Sequence, residues 1–195
     1  MDFIDTLRSI NVVDIVVILY LFGWFVLGYI QGTVRRIVGI LSIVFSFFLA
    51  LQLNDFWLGE FLAQNWQQYP PEYSVMIGYL VIFVAGVVAF SLVIQGTYRK
   101  AELFAKYPVV DEVLGGFLGV IQGGLLLMFL VTILDQYFLN GSATEGNQLP
   151  FLGGFWTAIN GSETGRILHE TIIPSFLSIF SFLVPSEVLA TYGLS

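Results

Sequence analysis

The fold class predicted here is an all-α polytopic membrane protein, with four transmembrane helices as two hairpins and a C-terminal tail of short interfacial helices. Three observations predict it. Charged residues make up 11% of the 195 positions and apolar ones 57%, with a mean hydropathy of +0.86, whereas an ordinary soluble domain is about a quarter charged. So little polar surface cannot coat a water-soluble globule of this length. Four apolar runs, Val12 to Ile30, Ile37 to Leu53, Val75 to Ile94 and Val113 to Leu134, come close to or reach the ~20 helical residues that cross a hydrocarbon core. At that depth a helix satisfies its own backbone, and an open sheet edge does not. Finally, nineteen Phe, nine Tyr and four Trp supply the aromatic bulk favoured in lipid and at its borders.

The first run is longer than the apolar stretch of a signal peptide and no A-x-A pattern follows it, so it is expected to stay in the protein as a span. It ends in IQGTVRR, residues 30–36, and nearly the same phrase closes the third run as IQGTYRK, residues 94–100. Both copies end runs that cross in the same direction. This suggests two helical hairpins in parallel repeat, residues 12–53 and 75–134, related by a two-fold axis along the membrane normal. The alternative is that two membrane borders converged on similar chemistry.

Loop charges set the orientation. Arg35 and Arg36 fall in the short turn between the first two spans, and Arg99, Lys100 and Lys106 fall between the last two. These loops are expected in the cytoplasm, with Arg35, Arg36, Arg99 and Lys100 meeting anionic lipid headgroups. The connection 54–74 has no cation, and the tail from Asp135 has Arg166 against five acids, which places both termini outside. The tail, 135–195, is distinct from the bundle, 1–134. After the loop-like GSATEGNQ it returns to apolar character in FLGGFWTAI and IIPSFLSIFSFLV, pieces too short to span. Pro174 near the start of the second piece suits a first helical turn. Short helices on the outer face or against the bundle are expected.

The fourth run carries Gly115, Gly119 and Gly123 at intervals of four, which puts them on one stripe of a helix. Each glycine costs about 0.8–1 kcal/mol of helix propensity relative to alanine. In lipid, close approach of a neighbouring helix offsets that cost. The first run offers Gly28 and Gly32. Either spans one and four pack on each other, or the notch receives a helix from a partner protein. Asp14 lies one turn into the first span. An acid there is a functional candidate, with an arginine, a headgroup or a permeating proton as partner, unless it meets only interfacial water and its own helix dipole. Asp111 holds the corresponding place before span four. Gln31, Gln95 and Gln122 are placed to hydrogen-bond between helices.

The net charge of -7, with seven cations in all, argues against a nucleic-acid partner. With no Cys there is neither a disulfide nor a thiolate site. His169 is the single histidine and has no second ligand at metal spacing, so no metal, cofactor, catalytic residue or soluble small-molecule substrate is expected.

Asp14, the border Gly28, Gly32 and Arg35, and Asp111 with Gly115, Gly119 and Gly123 together resemble the colicin V production protein (CvpA) family of bacterial inner-membrane proteins, over about residues 11–134. The chain departs from that pattern at Arg36, where the family commonly has an acid, and at Glu112 and Gln122, where it often has arginine. The resemblance implies a four-span inner-membrane protein linked by its family name to bacteriocin production or export and to envelope upkeep. It brings no chemistry with it. The expected role is a non-catalytic subunit, partnered by lipid and by the helices of a larger membrane assembly such as an energy-transducing complex. A transport or export accessory with a path through Asp14 is the alternative.

Overall fold

The computed structural model describes residues 11–53, 58–65, 71–97, 108–139 and 150–194. Four long helices, α1 (Val12–Gln31), α2 (Thr33–Leu53), α4 (Pro71–Thr97) and α5 (Pro108–Phe138), are joined by the short α3 (Gly59–Asn65) between α2 and α4. The tail contains α6 (Pro150–Asn160), α7 (Glu163–Ile167), a π-helical turn (Leu168–Ile172), α8 (Ile173–Ile179), a 3₁₀ turn (Ser181–Leu183) and α9 (Ser186–Thr191). Each long helix contains a stretch long and apolar enough to cross a membrane. The protein is an all-α, multi-pass membrane protein.

The helices outrun the apolar stretches that announced them. Hydropathy marks the part immersed in lipid, whereas a helix continues for as long as its polar residues find partners. Thus α5 starts at Pro108, where a missing N–H costs nothing, and ends at Phe138, so the boundary drawn at 134 falls inside it. α2 starts at Thr33, which corrects the placement of Arg35 and Arg36 in a turn: both belong to the first helical turn. Between α1 and α2 stands Gly32 alone, at φ 75°, in the left-handed region where only glycine avoids a Cβ penalty. Its N–H closes on Gly28 O at 3.0 Å.

α2 and α5 run parallel at the centre, with α1 packed chiefly on α5 and α4 chiefly on α2. Each outer helix leans on the inner helix of the other hairpin. The repeated phrase itself diverges locally. The first copy contains the break at Gly32, whereas α4 runs helically through Gly96 to Thr97; residues 98–100, with Arg99 and Lys100, lie outside the described residues.

The core is aromatic. Phe47 of α2 stacks on Phe129 of α5 with centroids 4.0 Å apart, and Phe83 of α4 and Phe176 of α8 meet this pair edge-on. Phe176 therefore brings the tail into the bundle, and Phe180 tilts against Phe48. The π turn has a local cause: Pro174 cannot donate to the carbonyl four residues back and its ring would strike it, so the helix widens just before the proline.

Candidate functional site

Polar groups concentrate at two levels, one at each end of the α1–α5 seam. Along the seam, a Cβ built on Gly28 would land on the backbone of Gly115, and one on Gly115 would meet Gly28 O at 2.5 Å. A Cβ on Gly119 would strike the Trp24 carbonyl, and one on Gly123 the Trp24 indole at 2.6 Å. The notch on α5 is thus filled by α1 of the same chain. At its far end a Cβ on Gly32 would lie 2.5 Å from Asp111 Oδ2. That oxygen accepts from Thr33 N at 3.4 Å while Thr33 Oγ1 donates to Asp111 O at 2.9 Å, so an α5 acid caps the start of α2.

Arg36 departs from its expected place among the lipid headgroups. It is 3% exposed, donating from Nη1 to Gln122 Oε1 at 2.7 Å and from Nη2 to Gln31 Oε1 at 2.9 Å, with its guanidinium carbon 5.2 Å from the Trp24 ring centre. The reason is its place on the inward stripe of α2, which continues through Gly39, Ile43, Ser46 and Ala50. Gln31 and Gln122 bond across this interface. The side chain of Gln95 lies outside the described residues.

At the opposite end, partly exposed Asp14 meets the tail and not an arginine. Its oxygens accept from Thr164 N at 2.8 Å, Thr164 Oγ1 at 2.7 Å and Glu163 N at 3.2 Å. The acid of α1 thus binds the first amides of α7, and Asn11, rather than Asp14, caps α1 itself. Asn11 Nδ2 also reaches Gly161 O at 2.9 Å.

The densest polar centre was invisible as such in the sequence. Asp135 of α5 is 0% exposed and accepts from Trp156 Nε1 at 2.7 Å on one oxygen. Its other oxygen is shared by Tyr192 OH and by His169 Nε2 at 2.8 Å. His169 Nδ1 lies 2.8 Å from Gly165 O, which can only accept. Three tail segments therefore converge on one carboxylate. Its hydrogen bond to Asp135 is the main reason the His169 pKa is raised; burial, followed by the negative charge of Asp135, raises that of Tyr192. Nearby, exposed Glu163 has its pKa lowered by its hydrogen bond to Arg166.

Residues 13–158 match the colicin V production protein family. The chain belongs to that family. No curated protein matches it, and neither does any solved structure. In this CvpA-family chain the matched region holds the whole α1–α5 seam, Arg35 and Arg36, and Asp135 with Trp156, while His169 and Tyr192 lie beyond it. Positions 36 and 122, where the chain departs from the resemblance, touch each other through a charge-to-amide hydrogen bond.

What this CvpA-family bundle can do chemically follows from those bonds. A general base needs an imidazole nitrogen open to substrate, and both nitrogens of His169 face internal partners. Asp14 likewise spends its lone pairs on the tail. Asp14→Ala should cost about 1 kcal/mol, as loss of a helix cap does, and should speed tryptic cleavage after Arg166 in folded protein, with Asp14→Asn intermediate. Cleavage at the wild-type rate in Asp14→Ala would show that the clip does not hold the tail.

Proposed function

We propose that this chain is a non-catalytic subunit of a larger membrane assembly, seated in the bacterial cytoplasmic membrane with the Arg35 end inside and the tail and both termini outside. The charge distribution supports that orientation. The observation that carries the subunit reading is how α1 is held. Of its 20 residues only Val17 and Gly28 are buried, because the glycine seam grips a narrow strip. Ile15, Leu19, Phe22 and Val26 form a broad exposed apolar surface, available to spans of a neighbour as well as to lipid. A path using Asp14 finds no support, since that carboxylate is bound into the tail.

Extraction in mild detergent tests the reading. The chain should elute with a second polypeptide at fixed stoichiometry, and Leu19→Ala with Phe22→Ala should release that polypeptide without lowering the melting temperature of the chain. A lone monomer or a homo-oligomer with the fold intact would overturn it.

A further inference from the structure

Beside Arg36 lies a cavity of about 170 Å³ at the inner border, walled by Trp24, Gln31, Arg35, Arg36, Ser91 and Gln122 among others. An engineered cavity of about 150 Å³ accepts a benzene, so this one has room for a small ligand or headgroup fragment. Its chemistry is one-sided. Two guanidinium groups, two amides and a hydroxyl line it, and no carboxylate does. Among the described residues neither Arg35 nor Arg36 has an acid within ion-pair distance. Arg36 is 3% exposed, and its Nε is buried with no hydrogen-bond partner.

A buried guanidinium without a counter-ion is costly. Two amide oxygens and an indole face solvate the charge without neutralising it. Because Arg36 takes the oxygens of both Gln31 and Gln122, it leaves those amides with N–H₂ donors. The wall thus offers donors and positive charge, the complement of an oxyanion with several acceptor atoms, and arginine forks suit phosphate geometry in particular.

We propose that this cavity binds a phosphate-bearing anion, with Arg36 as the buried charge and Arg35 as the partly exposed one. The phosphate belongs either to an anionic lipid headgroup, which the position at a membrane border favours, or to a free phosphate compound. The inference is independent of the subunit reading, because it concerns the purified chain alone.

The test uses delipidated full-length protein in neutral detergent. One arm adds phosphatidylglycerol, with phosphatidylcholine as the control; the other adds inorganic phosphate, with chloride at equal ionic strength. Melting temperature and, for lipid, native mass spectrometry are the readouts. Saturable stabilisation by phosphatidylglycerol alone identifies a headgroup site, and stabilisation by inorganic phosphate identifies a free-anion site. In either case Arg35→Gln should weaken binding about tenfold or more, the scale of one hydrogen bond to a charged group. Arg35 is only partly buried, so this variant should fold even where Arg36→Gln does not. The proposal is overturned if neither probe stabilises the wild type, or if Arg35→Gln binds as the wild type does.

Discussion

Gly28→Leu or Gly115→Leu should leave almost no monodisperse, folded protein, and even Gly28→Ala, Gly115→Ala or Gly119→Ala should cost about 3 kcal/mol, at the upper end of what overpacking costs. At each of these three positions the nearest atom to an added Cβ is a backbone carbonyl oxygen of the facing helix, closer than real Cβ contacts come. Backbone cannot rotate out of the way, so the helices must separate. The whole α1–α5 seam then loosens, because neighbouring glycines rely on the same approach. Gly123→Ala should cost less, since it meets the Trp24 indole, which can turn. The control lies one residue further along. Gly124 has nothing within 4 Å of a new Cβ, and neither does Gly23, so alanine there should be neutral or stabilising by up to about 1 kcal/mol through helix propensity. Thermal melts followed by tryptophan fluorescence in detergent would check the series. If Gly115→Ala melted with Gly124→Ala, α1 and α5 would not meet as described.

That contrast also shows what the sequence makes legible. Small residues every four positions identify a stripe, but spacing alone does not say which helix lies in it, and Gly124 in the same GG pair does nothing of the kind. The four spans were readable because hydropathy is a local property. The inward turn of Arg36 had a signal that loop charge counting overlooks: positions 36, 39, 43, 46 and 50 form one buried stripe on α2, and a periodic reading carried back through the border would have placed the arginine on it. Asp135 carried a similar signal, continuing the buried line of Met128 and Thr132 on α5. Its partners had none. Trp156, His169 and Tyr192 reach it from 21, 34 and 57 residues further along the chain, and no periodicity links such positions.

Asp135→Ala should be the most damaging substitution outside the glycine seam, at about 3–5 kcal/mol, the range for removing one partner from a buried ion pair. The loss is large because the carboxylate is fully buried and its removal strands the Trp156 N–H, the Tyr192 hydroxyl and the imidazole together. The damage should appear first as release of the tail, read as rapid tryptic cleavage after Arg166 at temperatures where the bundle has not melted. The pH dependence has a defined sign. The folded-state pKa of His169 lies above its ordinary value of 6.5, chiefly through its hydrogen bond to Asp135. The ionic contribution of the pair is therefore complete below about pH 6.5 and is lost as pH rises through the higher folded value. Tyr192, whose pKa is pushed up by burial and by Asp135, keeps its proton over that interval and goes on donating. Wild-type tail release should thus increase as pH rises from about 6.5 through the raised folded value of His169, normalised to cleavage of an unfolded peptide, whereas His169→Gln, with no proton to lose, should release its tail more readily at neutral pH but with little pH dependence. An identical pH profile in the two proteins would mean that the imidazole is not the group that titrates, and that Asp135 holds the tail through Trp156 and Tyr192 alone.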